Sequence, residues 1–381
     1  MSPTVLIIGG GVAGTAAALA LQKAGIPAEI HEADPEPDAV GGAFLTLASN
    51  GMRALRQIDA GEAVAAAGGE LRSMLVTDGG GAQLADIPIG DHTDPATCFR
   101  YLTRAELVAA LRRAAEARGI VVRTGRRLVA VSRHDDALTA TFADGTTARG
   151  GLLIGADGLN STVRSLIDPS ARAPRYVGQR VFYGASRGRH ALDTSRFHVV
   201  RGATAFGYIA ADRGETWWFA RVDDAELSRA AIAGGTTAAW QAYLLHRLGA
   251  EEVPSRIVAA ATRVQVTNAY DLPDVARWHR NGMVIIGDAA HAASPATGQG
   301  ASMALEDAVI LAKTLRDLHD AGAALATYEQ LRRARVDANI AASARLSSGG
   351  RPGGPSARPA GPSIDEQIDW NRPTTALAPA T

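Results

Sequence analysis

The 381-residue chain contains one cysteine, two lysines and no net charge. Because Cys98 stands alone, neither an intrachain disulfide nor a cysteine-rich metal site can form, and a reducing cytoplasm is expected. The 39 basic residues balance 39 acidic ones, so no net field attracts nucleic acid or an acidic membrane surface. We therefore expect a small molecule as the partner, and we expect a monomer or a weak homodimer.

Long apolar runs and metal-ligand patterns are also missing. No segment reaches the roughly 18 to 20 uninterrupted apolar residues that a membrane span needs. The apolar N-terminus is interrupted by glycines and has no basic segment before Val5, which argues against a signal peptide. The nine histidines show no pair at metal-ligand spacing with supporting carboxylates. The sequence thus predicts a soluble cytoplasmic protein with no metal and no membrane contact.

The chain opens with a strand–helix–strand pattern. The apolar run at residues 5–8 predicts a buried parallel strand, residues 13–24 predict a helix, and residues 27–32 predict a second strand. The turn before the helix has the dinucleotide-binding glycine spacing, which permits a tight turn and a close approach of a pyrophosphate to the backbone. The helix N-terminus would add amide donors. The residues concerned are Gly9, Gly11, Val12, Ala13 and Gly14.

An acidic residue and a second glycine-rich loop narrow the choice of nucleotide. Glu32 ends the second strand about 20 residues after the turn, where its carboxylate can accept hydrogen bonds from ribose hydroxyls of either NAD or FAD. Gly287-Asp288 follows the apolar run 283–286 and precedes the glycine-rich segment 295–301. Such a loop offers backbone amides to an electron-rich ring and a carboxylate to a polyol chain. FAD contains both, as its isoalloxazine ring and its ribityl chain, and NAD contains neither. FAD is therefore the better ligand.

The residue pattern changes in residues 175–275, where glycines, aromatic residues and alternating apolar runs predict an inserted antiparallel sheet. Side chains alternate along a strand, so two groups of residues could form the aromatic floor of a substrate pocket. These are Phe206 with Tyr208, and Trp217 and Phe219 with Arg221, for all of which ordinary core packing or solvent exposure is the alternative. His291 is a candidate base, but a structural hydrogen-bonding role is the favoured interpretation.

These segments divide the chain into two domains and a tail. Residues 1–70, 98–172 and 276–346 are assigned to an α/β, Rossmann-like nucleotide domain that ends in long helices. Residues 71–97 and 173–275 are assigned to the inserted sheet domain. Residues 347–381 are rich in Gly, Pro and Ser, which predicts a flexible tail with one short helix near residues 365–370.

The combined motifs resemble those of the group A flavoprotein monooxygenases, the family of para-hydroxybenzoate hydroxylase and the tetracycline-inactivating monooxygenases. The resemblance covers about residues 4–345 and rests on the glycine turn with Glu32, Arg104 in Arg-Ala-Glu-Leu, the segment 155–164 and the stretch 287–307. It implies the para-hydroxybenzoate hydroxylase type of FAD-binding fold. It further implies roles for residues that contact the FAD phosphate or ribose (Arg104), serve both FAD and the nicotinamide cofactor (Asp157 and Arg164), hold the ribityl chain (Asp288) and line the flavin ring (Pro295, Gly298 and Gly300).

The resemblance also implies an activity. NADH or NADPH would bind transiently and reduce the flavin, O2 would add to form a flavin hydroperoxide, and one oxygen would pass to an electron-rich aromatic or polyketide-like substrate. A halogenase of this fold needs a lysine beside the substrate, and neither Lys23 nor Lys313 is placed for that task. A reductase or dehydrogenase of the same fold and a non-catalytic flavin-binding sensor remain as alternatives.

Overall fold

The computed structural model describes residues 4–36, 43–91, 93–135, 137–188, 193–202, 204–211, 214–249, 251–272, 274–348 and 362–377. The strands in these ranges are β1 (Val5–Ile8), β2 (Ala28–His31), β3 (Phe44–Leu47), β4 (Gly69–Leu71), β5 (Ser73–Asp78), β6 (Gln83–Pro88), β7 (Phe99–Thr103), β8 (Val121–Arg123), β9 (Leu128–His134), β10 (Ala137–Phe142), β11 (Thr147–Gly150), β12 (Leu152–Gly155), β13 (Arg175–Arg187), β14 (Arg196–Arg201), β15 (Ala205–Ala210), β16 (Glu215–Asp223), β17 (Ala261–Asp271), β18 (His279–Arg280) and β19 (Met283–Ile285). The helices are α1 (Val12–Lys23), α2 (Ser49–Gln57), α3 (Gly61–Ala65), α4 (Arg104–Ala117), α5 (Thr162–Ile167), α6 (Arg229–Gly234), α7 (Thr237–Leu248), α8 (Glu252–Ala259), α9 (Asp288–His291), α10 (Gly300–Asp317), α11 (Ala321–Ser347) and α12 (Ile364–Ile368).

A six-stranded sheet in the order β18-β19-β12-β1-β2-β8 forms the centre of the first domain. All neighbouring strands are parallel except β18 and β19, which are antiparallel. Every residue of β1 is buried, as expected for a strand covered on both faces by helices. Helices α1 and α10 belong to the same apolar core as β1 and β12. The predicted α/β fold, with its opening strand–helix–strand unit, is confirmed.

A seven-stranded sheet in the order β17-β13-β16-β15-β14-β5-β6 forms the second domain. Strands β5 and β6, from the segment 71–97, lie in the same sheet as β13 to β17. Most neighbours are antiparallel, as predicted, but β14 and β5 are parallel. The sequence predicted only strands for residues 175–275, and the structure corrects this, because α6, α7 and α8 lie between β16 and β17.

Two small three-stranded sheets complete the described strands. The sheet β3-β7-β4 lies next to the second domain, and β9, β10 and β11 form an antiparallel meander beside the first. Within the described residues, no helix combines the length and the apolar character needed to cross a membrane.

The C-terminal segment differs from the predicted flexible tail. Residues 362–377 contain the short helix α12, which confirms the helix expected near residues 365–370. Ile368 and Leu377 are buried, and the Lys313 ammonium donates to the carbonyl oxygens of Gln367 and Asp369 at 2.6 and 2.5 Å. This segment therefore packs on the first domain. The rest of the predicted tail beyond Ser348 lies outside the described residues.

Candidate active site

Parallel pairing places the glycine-rich motifs at one edge of the six-stranded sheet. Ile8 pairs with Gly155, and Gly155 pairs with Ile285, so β1, β12 and β19 end side by side. The turn after β1, the segment from Ala156 and the Gly287 turn follow directly. In open α/β sheets, ligands bind at this carboxyl edge. The three motifs, which are far apart in the sequence, thus converge on one site.

The glycines of the first turn leave room for a ligand. Gly9 has a φ of +105°, and a Cβ on it would lie 2.3 Å from the Ala156 carbonyl oxygen. A Cβ on Gly14 would lie 1.9 Å from the Gly9 carbonyl oxygen, so the close contact of helix and turn requires glycine. A Cβ on Gly11, by contrast, would meet no atom within 4 Å. The backbone of this turn is therefore packed closely against its neighbours at Gly9 and Gly14 and is open at Gly11, where a pyrophosphate could approach it.

Three helix N-termini face this region without a side-chain cap from the described residues. They are the starts of α1, which includes Val12 and Ala13, of α9 at Asp288 and of α10 at Gly300. Uncapped first turns leave backbone N–H groups available, and these groups favour anions. Gly287 and Ala13 are close, since a Cβ on Gly287 would lie 3.0 Å from the Ala13 Cβ. The N-terminal ends of α1 and α9 therefore lie against the same space.

Glu32 and a buried arginine bind the backbone N–H and the backbone carbonyl oxygen of Gly10. The Gly10 N–H donates to Glu32 Oε2 at 2.6 Å, and the Asp34 N–H donates to Glu32 Oε1 at 2.8 Å. Arg112 donates through Nη2 to the Gly10 carbonyl oxygen at 3.0 Å. Arg112 was not predicted from the sequence, although its position one helical turn after Val108, on the apolar face of α4, was a usable signal.

The flavin loop, defined as residues 287–300, brings Asp288, Pro295, Gly298 and Gly300 to the same edge. Asp288 is exposed and makes no hydrogen bond to the described residues, so its carboxylate is available to a ligand. Gly298 is left-handed, and a Cβ there would lie 3.2 Å from Thr46 Oγ1 on β3. Asn50 binds the Gln299 side chain at 3.2 Å. The loop is thus held against β3 and α2.

Asp157 and Arg164 make hydrogen bonds within the protein. Asp157 accepts from the Ser161 hydroxyl at 2.5 Å and from the N–H groups of Thr162 and Val163, so it caps α5. Burial raises the pKa of Asp157. The buried Arg164 donates to the carbonyl oxygens of Leu159 and Ala289 at 2.8 and 3.0 Å. This pair therefore joins the segment after β12 to α9, and its implied contact with FAD and a nicotinamide cofactor stays a prediction.

Asp307 is the residue on which the internal contacts of the flavin loop converge. Its Oδ2 accepts from the Gly287 N–H at 2.8 Å and lies 2.5 Å from His291 Nε2, while its Oδ1 accepts from Arg332 Nε at 2.7 Å. Burial alone would raise its pKa, but the charges of His291 and Arg332 hold the pKa of Asp307 well below its ordinary value. His291 therefore makes a structural hydrogen bond to Asp307, which was the alternative to a role as a base. In the sequence, two adjacent acidic residues inside an apolar helix, Glu306 and Asp307, were the available sign that buried cations face this helix.

A narrow cavity of about 10 Å³, called here the interdomain cavity, lies between the two domains at the start of β3. Phe44 and Thr103 line it from the first domain, and Tyr183, Trp217 and Gln265 are among the residues that line it from the seven-stranded sheet. Phe44 and Thr46 are two residues apart and so share one face of β3. Since Thr46 also lies next to Gly298, the cavity and the flavin loop both adjoin this face of β3.

Aromatic side chains join the domains at this cavity. The Trp217 ring lies 6.3 Å from that of Phe44 and 6.0 Å, edge-on, from that of Tyr101. Phe219 lies 6.4 Å from Phe44, and all four residues belong to one apolar cluster. Arg221 lies on the same face of β16 as Trp217 and Phe219. Arg104, at the start of α4, is exposed, and its charge acts on the Tyr183 hydroxyl in the cavity wall.

Phe206 and Tyr208 do not belong to this lining, which corrects the predicted aromatic floor. In the register of β15 and β16, Phe206 pairs with Ala220 and Tyr208 with Trp218, so these side chains point to the opposite face. There they are buried in the core that the sheet forms with α7 and α8. Tyr183 and Gln265, which were not predicted from the sequence, pair with each other across β13 and β17. The alternating apolar pattern of β13 was the available signal.

The fold and the site are those of an α/β nucleotide-binding protein whose second, sheet-built domain packs against the first. Residues 2–343 match the family described as "FAD binding domain". The aurachin C monooxygenase/isomerase of Stigmatella aurantiaca is 31% identical over 90% of this chain and 88% of its own length. The FAD-dependent urate hydroxylase of Klebsiella pneumoniae is 30% identical over 87% and 86%. The 3-amino-4-hydroxybenzoate 2-monooxygenase of Streptomyces cremeus is 33% identical over 87% and 84%.

Solved structures agree with this fold. Klebsiella pneumoniae HpxO in complex with FAD and uric acid has a TM-score of 0.80 at 24% identity, over 91% of this chain and 88% of its own. The tetracycline destructase Tet(55) has a TM-score of 0.70 at 21% identity, over 91% and 89%. The chain belongs to the family of FAD-dependent monooxygenases.

Proposed function

We propose that this enzyme uses NADH or NADPH and O2 to insert one oxygen atom into an electron-rich aromatic or polyketide-like compound. The observation that carries the proposal is the shared face of β3, where Thr46 meets the flavin loop and Phe44 lines the interdomain cavity. If the two domains separate at this narrow cavity, a substrate admitted there would lie beside the bound flavin. Urate and 3-amino-4-hydroxybenzoate, named in two of the relatives, are planar electron-rich compounds, which supports this substrate class.

The residues at the carboxyl edge would hold the cofactor. When bound, FAD supplies the redox chemistry, because it accepts hydride from the nicotinamide and then activates O2. The chain would bind the pyrophosphate at the first turn and α1, the ribose at Glu32 and the ribityl chain at Asp288. The full set proposed to hold FAD is Gly9, Gly11, Val12, Ala13, Gly14, Glu32, Arg104, Asp157, Arg164, Asp288, Pro295, Gly298 and Gly300.

The seven-stranded sheet would exclude water from the substrate side. Trp217 and Phe219 are large, rigid side chains in contact with the first domain, and such side chains seal a wide area. Water that reaches the reduced cofactor diverts activated oxygen to hydrogen peroxide, so the seal decides how much NAD(P)H is used productively. We also propose a cytoplasmic location, because a chain with a single cysteine has no intrachain disulfide that would need an oxidising compartment.

Flavin content and substrate-stimulated oxidation of NAD(P)H test this proposal. Purified protein should retain or take up one FAD per chain, and a screen of phenols and polyketide-like compounds should find one that accelerates NAD(P)H oxidation. Mass spectrometry should show that this compound gains one oxygen atom. A reductase would change the compound without adding oxygen. A sensor would bind FAD but show no compound-stimulated oxidation.

A further inference from the structure

A buried arginine binds the backbone of the first glycine-rich turn. Arg112, on α4, is 7% exposed, and its Nε and Nη2 both donate to the Gly10 carbonyl oxygen, at 3.3 and 3.0 Å. The Thr15 hydroxyl donates to the same oxygen at 3.1 Å. A hydrogen bond from a guanidinium is charge-assisted and is roughly twice as strong as one between neutral groups. Arg112 therefore contributes the stronger part of the contact with this carbonyl group.

The Gly10–Gly11 peptide carries the effect of this contact to the other side of the turn. The peptide is trans and planar, so the Gly10 carbonyl oxygen and the Gly11 N–H point in opposite directions. The carbonyl oxygen is directed at Arg112. The Gly11 N–H donates to no acceptor among the described residues, and a Cβ on Gly11 would meet no atom within 4 Å. This N–H is therefore held away from Arg112, on the side where the pyrophosphate is proposed to bind.

A carboxylate and a guanidinium flank Gly10. The Gly10 N–H donates to Glu32 Oε2 at 2.6 Å, and a Cβ on Gly10 would lie 3.3 Å from both Glu32 Oε2 and Arg112 Nη2. The negative charge of Glu32 alone would repel an anionic pyrophosphate at this turn, and the positive charge of Arg112 offsets that repulsion. Because Arg112 is buried, water and salt screen its charge much less than that of a surface arginine.

We infer that Arg112 is a positioning residue for FAD, which holds the Gly10–Gly11 peptide with the Gly11 N–H directed at the pyrophosphate and raises the affinity for this anion without contacting it. The inference rests on the proposed function, because it takes the first turn as the pyrophosphate site. Hydrogen bonds in series polarise one another, so a cation bound to the carbonyl oxygen makes the N–H of the same peptide a stronger donor. Arg112 thus adds to the effect of the α1 dipole at the same place.

Binding of FAD to variants of Arg112 tests this inference without turnover. Apoprotein is titrated with FAD, and the phosphorus NMR spectrum of the bound cofactor is recorded. Arg112→Met should raise the dissociation constant at least about tenfold, the factor expected when a hydrogen bond to an anion is lost, and should shift the pyrophosphate resonances. Arg112→Lys keeps the charge with a different donor geometry and should bind FAD with intermediate affinity. Arg113→Met, at the exposed neighbouring arginine on α4, is the matched control and should change neither quantity.

A purely structural role of Arg112 would give a different result, because it would lower the amount of folded protein while the FAD bound to that protein kept its phosphorus resonances. Unchanged resonances in Arg112→Met, or an unchanged dissociation constant, would therefore overturn the inference. If Arg112→Met does not fold, Arg112→Lys decides, since weaker binding with shifted resonances supports the inference and wild-type affinity overturns it. A wild-type protein that takes up no FAD overturns both proposals. One that binds FAD but shows no compound-stimulated NAD(P)H oxidation contradicts only the proposed function.

Discussion

At the scale of single residues, Asp307 links the flavin loop to the long C-terminal helices. Its two oxygens hold the Gly287 amide, His291 and Arg332, and both the Asp307 and the Arg332 side chains are fully buried. Arg332 also forms a buried ion pair with Glu306 at 2.8 Å, and Arg335 binds Glu306 from the other side. The turn that presents Asp288 is therefore positioned by a buried charge network.

We expect Asp307→Asn to lower the free energy of unfolding by about 3 kcal/mol, because breaking a buried ion pair leaves an uncompensated charge. The carboxyl pKa is depressed in the folded state, so this contribution is complete above the ordinary value of about 4 and is lost as the pH falls below it. Urea unfolding at several pH values measures both effects. Asp365→Asn removes an exposed ion pair with Arg53 and should cost less than about 1 kcal/mol. Equal effects of the two changes would contradict the proposed role of Asp307.

Asp288 provides the direct test of cofactor contact at this scale. Asp288→Ala should weaken FAD binding by about 1.5 to 3 kcal/mol, because it removes a charge-assisted hydrogen bond to the ribityl chain. Fluorescence titration of the apoprotein with FAD measures the dissociation constant. Asp274→Ala, at another exposed aspartate, should leave that constant unchanged. If Asp288→Ala binds FAD as tightly as the wild-type protein, the ribityl assignment fails.

At the scale of elements, the packing of the C-terminal segment replaces the expectation of a flexible tail. The Trp370 N–H donates to Gln57 Oε1 at 2.9 Å, and Arg316 donates to the Trp370 carbonyl oxygen at 2.7 Å. The Lys23 and Arg316 cations lie 5.4 and 4.8 Å from the centre of the Trp370 ring. The low apolar content of residues 347–381 concealed these contacts, because they depend on a few side chains and on backbone carbonyl groups.

Ending the chain at Ser348 should therefore lower the free energy of unfolding by several kcal/mol. The deletion exposes core around Ile368 and leaves the buried Lys313 ammonium without its carbonyl acceptors. Chemical denaturation of the truncated and complete chains measures the difference. Adding Lys313→Met to the truncated chain removes the unpaired charge and should recover part of the loss. Unchanged stability on truncation would show that the segment is dispensable.

The faces of the seven-stranded sheet show what a sequence pattern can and cannot reveal. The glycine turns, Glu32 and the Asp288 loop are local features whose geometry follows from residue type, and parallel pairing then brings them together. Alternation along β15 and β16 correctly separates two faces but does not say which face meets the first domain. Because α7 and α8 were not predicted, nothing in the sequence assigned Phe206 and Tyr208 to the core beneath them. Long-range partners such as Asp307 with Gly287 require the fold itself.

At the scale of the whole molecule, the contact between the domains should control the use of oxygen. Replacing Trp217 and Phe219 with alanine opens the apolar cluster over the cavity while leaving the flavin loop intact. FAD should stay bound, and the hydrogen peroxide formed per NAD(P)H consumed should rise. Phe206→Leu alters an aromatic residue on the opposite face and should not change this ratio. An unchanged ratio in the double variant, with folding intact, would show that other residues form the seal.

Oxygen-18 labelling shows whether the enzyme transfers an oxygen atom from O2 to its substrate. The enzyme is incubated under labelled O2 in ordinary water with NADPH or NADH and the compound that accelerates its oxidation, and the product is analysed by mass spectrometry. We expect the product to contain one labelled oxygen atom and labelled water to form from the other. A product without label, or one whose new oxygen comes from the solvent, would contradict it.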